Sequence, residues 1–179
     1  VRRSKTPTNL FEHIRLGVPA PRVQEILGTP TYIHSDTWIY RFVETQLEIT
    51  FADTGGISCA VLALCHGHIY AGFNEVTDIP LGQLTMADLL EIDPQATLEF
   101  FHSAPTVELY VRIRVGPPGA WTDHCYGALT VVSGAGHLQH TEFEWDYEAS
   151  KLLSDPSDVL VNWIAFPSSI TDPPSFYWF

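Results

Sequence analysis

The sequence predicts an α+β fold, an antiparallel sheet with short helices packed on one of its faces. Residues 23–27 place apolar side chains at helical spacing, and Gly28 directly after them is typical of a helix end. Residues 37–42 and 107–115 instead alternate with a period of two, as strands with two different faces do. The run 53–56, Asp-Thr-Gly-Gly, lies between two apolar stretches and is typical of a hairpin turn.

Four helices are expected from capping residues and apolar spacing. Pro19 and Pro21 suit a first helical turn, where a backbone N–H has no partner in the helix. Thr85, followed three residues later by Asp88, has the pattern of a helix N-cap. The predicted helices span residues 10–16, 19–27, 86–91 and 94–101.

Strands are expected where apolar and polar residues alternate, or where a short apolar run lies between turns. The run 57–64 is nearly all apolar, so we expect it to be central in its sheet. The run 107–115 alternates cleanly, so we expect it to be half-exposed. The predicted strands span residues 37–42, 47–51, 57–64, 68–73, 107–115, 126–132, 137–145 and 159–166.

The chain length leaves two domain organisations open. A weak internal echo favours the second of them, because a strand–turn–strand pattern at 47–64 recurs at 128–145. The organisations are a single compact domain over 1–179, or two similar units, 1–80 and 81–150, with a C-terminal extension, 151–179.

One stretch of the chain resembles a known structural unit. It contains Gly17, Val23, the run Leu27-Gly28-Thr29-Pro30 and the run Trp38-Ile39-Tyr40. This pattern resembles the helix–sheet unit of the SmpA/OmlA (BamE) family and of the wider β-lactamase-inhibitor-protein-like fold. Members of that fold mostly bind other proteins, so the resemblance implies a binding function. The sequence after Val1 shows neither a signal peptide nor a lipid-attachment cysteine, so a role in outer-membrane assembly is not implied.

The net charge of -12 is the strongest global feature, and it is unevenly placed. Only three of the nine Lys and Arg residues lie beyond position 41: Arg112, Arg114 and Lys151. Such a field repels nucleic acid and anionic membranes, so we expect neither as a partner, whereas it attracts a basic protein. Solubility alone would also explain a charge of this size, and that interpretation stays open.

A run of acidic residues is the first candidate site. Glu142, Glu144, Asp146 and Glu148 alternate along the predicted last hairpin strand and its exit. They fit a solvated face, a docking surface for a basic protein, or paired carboxylates that exchange protons in catalysis. Aromatic residues, which are enriched in protein interfaces, complete the predicted partner-binding surface. These are Tyr110, Trp121, Tyr177 and Trp178.

Histidines and cysteines form the second candidate site. The run Cys65-His66-Gly67-His68 and the pair His124-Cys125 supply side chains that bind zinc, but their spacing fits no standard site of four ligands. His66, His68, His124 and Cys125 are therefore weak metal candidates, and Cys125 lacks the surroundings of a known nucleophile. No glycine-rich phosphate loop is present, so we expect no cofactor.

Together these observations predict a bacterial, cytoplasmic immunity or inhibitor-type protein. It would bind a toxin or an enzyme through an acidic, aromatic-rich surface and would not itself be an enzyme. The odd number of cysteines fits reduced thiols in the cytosol. The alternative is a small ligand-binding or metal-dependent enzymatic α+β domain that uses a pocket of histidines and cysteine.

Overall fold

A computed structural model describes residues 2–72, 76–102, 106–134 and 136–167. The fold is α+β, as predicted. Three short helices are α1 (Leu10–His13), α2 (Ala20–Leu27) and α3 (Met86–Ile92). The strands are β1 (Tyr32–His34), β2 (Thr37–Arg41), β3 (Thr45–Phe51), β4 (Ile57–Leu64), β5 (Leu98–His102), β6 (Thr106–Val115), β7 (Thr122–Val131), β8 (Trp145–Asp146), β9 (Lys151–Leu152) and β10 (Trp163–Pro167). A 3-10 turn spans Pro156–Asp158.

Within the described residues, eight strands form one antiparallel sheet in the order β1-β2-β3-β4-β10-β7-β6-β5. The strands β8 and β9 form a separate small hairpin. A helix followed by a three-strand meander occurs twice, first as α2 with β2–β4 and then as α3 with β5–β7. The strand β10 lies between the two meanders and pairs with both β4 and β7. The strand β10, from the C-terminal part of the chain, therefore joins the two meanders into one sheet.

The sheet buries side chains on both of its faces. The larger core lies beneath the three helices, on what we call the helical face, where Val23 of α2 and Met86 and Leu89 of α3 pack against the strands. A smaller cluster lies on the opposite face. Its buried members are Val61, Ala63, Tyr110, Cys125, Leu129, Leu138, Trp163 and Ala165.

Local sequence signals determine several of these elements. The Thr85 side chain accepts a hydrogen bond from the Asp88 N–H, and the Asp88 carboxylate accepts one from the Thr85 N–H, so α3 begins with a complete capping box. The helix α2 ends at Leu27 and is followed by the C-cap Gly28, whose φ is +77°. The turn between β3 and β4 places Gly55 at a φ of +89°, which glycine adopts without the strain a side chain would add. These predictions are confirmed.

The predicted helix 94–101 is wrong. Residues from Leu98 onward form β5, which pairs with β6 through Phe100 and Leu109. Pairing with β6 gives the backbone N–H and C=O groups of this segment hydrogen-bond partners, and Leu98 packs against the main core. The first predicted helix is also shorter than expected, because α1 ends at His13.

The predicted strand 137–145 is wrong as well. Residues 137–144 form no ladder, and only an isolated bridge joins Leu138 to Cys65. The buried Asn162 explains part of this, because its amide donates to the carbonyls of Leu129 and Gln139 and to the Thr141 hydroxyl. The echo at 128–145 is therefore not a hairpin.

Two further expectations need correction. In the predicted strand 68–73, the described residues show only an isolated bridge between Tyr70 and Leu81. The strand β6 is not half-exposed, because Glu108 and Tyr110 on its supposedly exposed side are buried on the opposite face. None of the helices in the described part of the chain is both long and apolar enough to cross a membrane.

Candidate functional site

The acidic run predicted from the sequence lies on an irregular segment that leads into the β8–β9 hairpin. We call residues 142–148 the acidic ribbon. Backbone pairing of Trp145 with Leu152 holds it in place, and the Leu153 N–H donates to the Glu144 carbonyl at 2.8 Å. The Glu144 N–H in turn donates to the Ser154 hydroxyl at 2.7 Å. The ribbon is therefore fixed along its length by hydrogen bonds to the segment that returns beside it.

Aromatic side chains form the underside of the ribbon. Phe143, Trp145 and Tyr147 all pack on Phe100 of β5, with ring-centroid distances of 6.3, 5.1 and 5.1 Å respectively. Trp145 stacks nearly parallel to Phe100, whereas the other two rings meet it edge-on. Such pairs add about 0.5–1.5 kcal/mol each beyond the area they bury. Phe100 thus anchors the ribbon to the sheet edge.

The carboxylates of the ribbon alternate with these rings and lie on its outer side. Glu142, Glu144 and Glu148 are exposed, and the Glu142 side chain is 89% exposed beside His140 at 3.5 Å. Asp146 differs, because its Oδ1 accepts the N–H groups of Glu148 and Ala149 in the hairpin turn. Three carboxylates therefore face solvent, while the fourth helps to fix the turn. None of the described cations forms an ion pair with Glu144 or Glu148.

The other predicted contact residues do not join the ribbon. Tyr110 is 5% exposed and packs beside Trp163 on the opposite face of the sheet, where burial raises the pKa of its hydroxyl. Trp121 is 52% exposed and carries the Arg114 guanidinium 5.0 Å above its ring, but it lies at the far end of the β6–β7 hairpin. Tyr177 and Trp178 lie outside the described residues.

Of Tyr110 and Trp121, only Trp121 is exposed enough to contact a partner, and it is remote from the ribbon. Phe100 pairs with Leu109, whereas Trp121 precedes Thr122, which pairs with Val115. The path from Leu109 to Val115 covers about 20 Å of strand at the usual rise per residue. A partner that contacts both the ribbon and Trp121 would have to reach along most of β6.

The weak metal candidates do not converge. His66 and His68 lie in the turn after β4, whereas His124 lies near the other end of the sheet, beside Phe166 at a ring-centroid distance of 4.4 Å. Cys125 follows His124 on β7 and therefore points to the opposite face. Within the described ranges, no three His, Cys, Asp or Glu residues lie close enough to hold a metal ion.

The cysteine thiols are protonated at neutral pH. Burial raises the pKa of Cys59 to about 11 and that of Cys125 to about 12, and burial also raises the pKa of Cys65. The thiolate is the form that attacks an electrophile or binds zinc. These environments therefore work against both nucleophilic and metal-binding roles for the three thiols.

A cavity of about 220 Å³ is a feature that sequence reasoning missed. It lies on the helical face between α1 and the ends of β7 and β10. Apolar side chains from Phe11, Ile14, Leu16 and Phe166 line it, together with the polar side chains of Arg15, Thr122 and His124. The sequence contains one signal for this cavity, the position of His124. Alternation along β7 places His124 on the opposite face of the sheet from Cys125, and this is the face that α1 covers.

A second, open groove of about 350 Å³ runs beside β5 and β6. Both of its arginines are paired, with Arg112 Nε 2.8 Å from Glu99 and Arg114 Nε 3.1 Å from Asp123, and Asp93 adds a third carboxylate. The groove therefore offers a polar surface with a small excess of negative charge. Comparison with models of protein families, with curated proteins and with solved structures found no match to this chain.

Proposed function

We propose that this protein works by binding another protein and blocking it, as an inhibitor or immunity-type protein, and that it carries out no chemistry of its own. The observation that carries the proposal is the construction of the acidic ribbon. Its aromatic side chains pack on Phe100, and three of its four carboxylates point to solvent. A pre-ordered row of charges pays little entropy on binding, which favours a tight complex.

The charge distribution supports a basic partner, such as a toxin or an enzyme with a cationic active site. The net charge of -12 would speed the approach of a positive surface, and the ribbon would then orient it. Tyr147, which is 69% exposed at the ribbon's end, offers an aromatic contact of the kind that contributes most at interfaces. Nucleic acid and anionic membrane are disfavoured as partners by the same field.

A cytoplasmic location in a bacterial cell completes the proposal. All three cysteines are free thiols, which suits a reducing compartment. The resemblance of the stretch from Gly17 to Tyr40 to the inhibitor-like fold, whose members mostly bind proteins, is part of this proposal. The alternative, an enzyme with a His/Cys pocket, lacks a comparable support in the described residues, because those side chains lie apart.

The direct test is charge reversal on the ribbon. The triple variant Glu142→Lys, Glu144→Lys and Glu148→Lys replaces three attractions to a basic partner by three repulsions. At about 0.5 kcal/mol for each exposed interaction gained or lost, affinity should fall by about 3 kcal/mol, or roughly 100-fold. The tagged protein, produced in its native host, is used to recover the partner, and the affinity of the purified pair is then measured.

The matched control reverses three exposed acids elsewhere, Glu12→Lys, Asp53→Lys and Glu91→Lys, and changes the net charge equally. We expect the control to keep most of the affinity. Equal binding by wild-type protein and both variants would refute the role of the ribbon. Equal loss in both variants would also refute it, because net charge alone would then explain the attraction. Recovery of no stoichiometric partner would refute the proposed function itself.

A further inference from the structure

A positively charged surface lies near the edge of the sheet opposite to the acidic ribbon. We call it the basic corner, and its members are Arg3, Lys5 and Arg41. The N-terminal segment that carries two of them is held beside the turn between β2 and β3, where the Val43 N–H donates to the Ser4 carbonyl at 2.9 Å. Glu44 in the same turn accepts the Thr6 N–H at 2.8 Å. Because Ser4 lies between Arg3 and Lys5, these bonds fix the backbone that carries both cations.

The cations of the basic corner are not neutralised by ion pairs. Within the part of the chain that the structure describes, no ion pair includes any of the three. Arg41 instead donates through Nε to the Gln46 side chain at 3.2 Å and lies 5.4 Å from the centre of the Tyr32 ring. Glu44 is a neighbouring carboxylate, but its Oε2 already accepts both the N–H and the hydroxyl of Thr6. The guanidinium and ammonium groups can therefore bind a further anion.

The positive charge of the basic corner extends to the turn after β4. His137 lies beside that turn, where its carbonyl accepts the His66 N–H at 2.9 Å. The pKa of His137 is lowered to about 4, first by burial and then by the charges of Arg41 and Arg3. The corner is thus locally positive, although the net charge of the protein is -12.

The basic corner and the acidic ribbon are complementary but lie far apart in one molecule. Six strand spacings separate β2 from β5, on which the ribbon packs, and these correspond to about 30 Å. The ribbon presents three solvent-facing carboxylates, which equal the three cations in number. It also presents Tyr147, which is 69% exposed, and a guanidinium packs favourably on such a ring. The two surfaces can therefore meet only between molecules.

We infer that the acidic ribbon of one copy of this chain binds the basic corner of a second copy, head to tail. The ribbon carboxylates accept hydrogen bonds from Arg3 and Lys5, and arginine contributes the stronger, charge-assisted pairs. Since the contact joins two different surfaces, a complex of two copies leaves one ribbon and one basic corner free, and further copies can add. Exposed ion pairs are individually weak, so we expect a Kd on the order of 1 mM. The inference does not depend on the proposed function, because both surfaces belong to this chain.

Salt distinguishes this contact from the general repulsion between two molecules of charge -12. At about 0.1 M salt, exposed charges more than about 10 Å apart are largely screened, so the repulsion between whole molecules is weak while the paired charges still attract. At about 1 M salt the screening length falls to about 3 Å, and the pairs are screened as well. Sedimentation velocity should therefore show concentration-dependent association at about 0.1 M salt and its loss at about 1 M.

A variant with a reversed ribbon locates the contact. The isotopically labelled variant Glu142→Lys, Glu144→Lys and Glu148→Lys keeps the basic corner, but its own ribbon is positive, so it does not bind itself. Unlabelled wild-type protein, added to about 1 mM, should shift the backbone NMR signals of residues 3–6 and 41–44 in proportion to the fraction bound. The unlabelled ribbon variant, added in the same way, should shift none of them.

Substitutions in the basic corner supply the reciprocal test. Arg3→Gln with Lys5→Gln, both exposed, should weaken association about fivefold in sedimentation. The control, Arg22→Gln with Arg114→Gln, changes two other exposed arginines and the net charge equally, and should associate as wild-type protein does. The inference is overturned if wild-type protein shifts none of these signals, if the ribbon variant shifts them equally, if the two Gln variants associate alike, or if association persists at about 1 M salt.

Discussion

Glu108 is the residue whose replacement should change stability most clearly with pH. It lies on β6, on the face opposite the helices, and only 1% of it is exposed. Its Oε1 accepts the Thr106 hydroxyl at 3.3 Å, while Oε2 has no hydrogen-bond partner among the described residues. Burial raises the pKa of this carboxyl from 4.5 to about 8, and the Thr106 hydrogen bond opposes the shift only in part. Glu108 is therefore protonated in the folded protein at neutral pH.

The raised pKa makes the fold less stable as pH increases. Above pH 4.5 the unfolded chain releases the Glu108 proton, but the folded protein keeps it until about pH 8. The stabilisation present in acid is thus lost progressively between these two values. At about 1.4 kcal/mol for each pH step, the loss between pH 5 and pH 8 is at most about 3–4 kcal/mol. Glu108→Gln removes the titration and keeps the side-chain shape.

Urea unfolding of wild-type protein and Glu108→Gln at pH 5, 6, 7 and 8 measures this effect. The two proteins should differ little at pH 5, and the variant should become more stable by about 3 kcal/mol by pH 8. Glu91→Gln, an exposed change on α3, serves as the control and should follow the wild-type curve. A difference between Glu108→Gln and wild-type protein that does not grow with pH would refute the assignment of a protonated Glu108.

Three other predictions follow from packing, capping and thiol burial. Gly127→Ala should destabilise the fold by about 1–3 kcal/mol in urea unfolding, because an added Cβ would overlap the Trp163 indole; an unchanged midpoint would contradict that packing. Thr85→Ala should cost about 1 kcal/mol by removing the capping box with Asp88, and thermal unfolding should show a lower Tm, whereas Thr85→Ser should retain most of the stability. Cys125 should react with a thiol reagent only at the rate of unfolding, because its pKa is raised to about 12 and it is 2% exposed; fast labelling of the native protein would contradict this.

The elements predicted correctly are those that short-range chemistry determines. The capping pair Thr85 and Asp88 defines the start of α3, and the 53–56 turn defines the β3–β4 hairpin, without help from distant residues. The segment 94–101 failed because its apolar spacing fits a helix or a strand, and only pairing with β6 decides between them. The segment 137–144 failed because Asn162, distant in sequence, provides hydrogen bonds that replace a ladder.

The geometry of the acidic run was predicted in part for a similar reason. Alternation in 142–148 correctly places the acids and the aromatic residues on opposite sides of the segment, although most of the segment is not a strand. The aromatic residues lie on one side because they pack on Phe100. Alternation in β6 misplaced Tyr110, since it assumed one solvated face in a sheet that is covered on both. The cavity combines Arg15, Thr122 and Phe166, and no pattern in the sequence relates such distant positions.

Hydrogen–deuterium exchange of the protein alone and with its purified partner tests the central claim most directly. That claim is that an ordered, anionic segment anchored on Phe100 is the surface that holds another protein. We predict that binding slows exchange in peptides covering residues 142–154 and leaves the turn after β4, with His66 and His68, unchanged. Protection at the β4 turn or around the cavity, with residues 142–154 exchanging as fast as before, would contradict it.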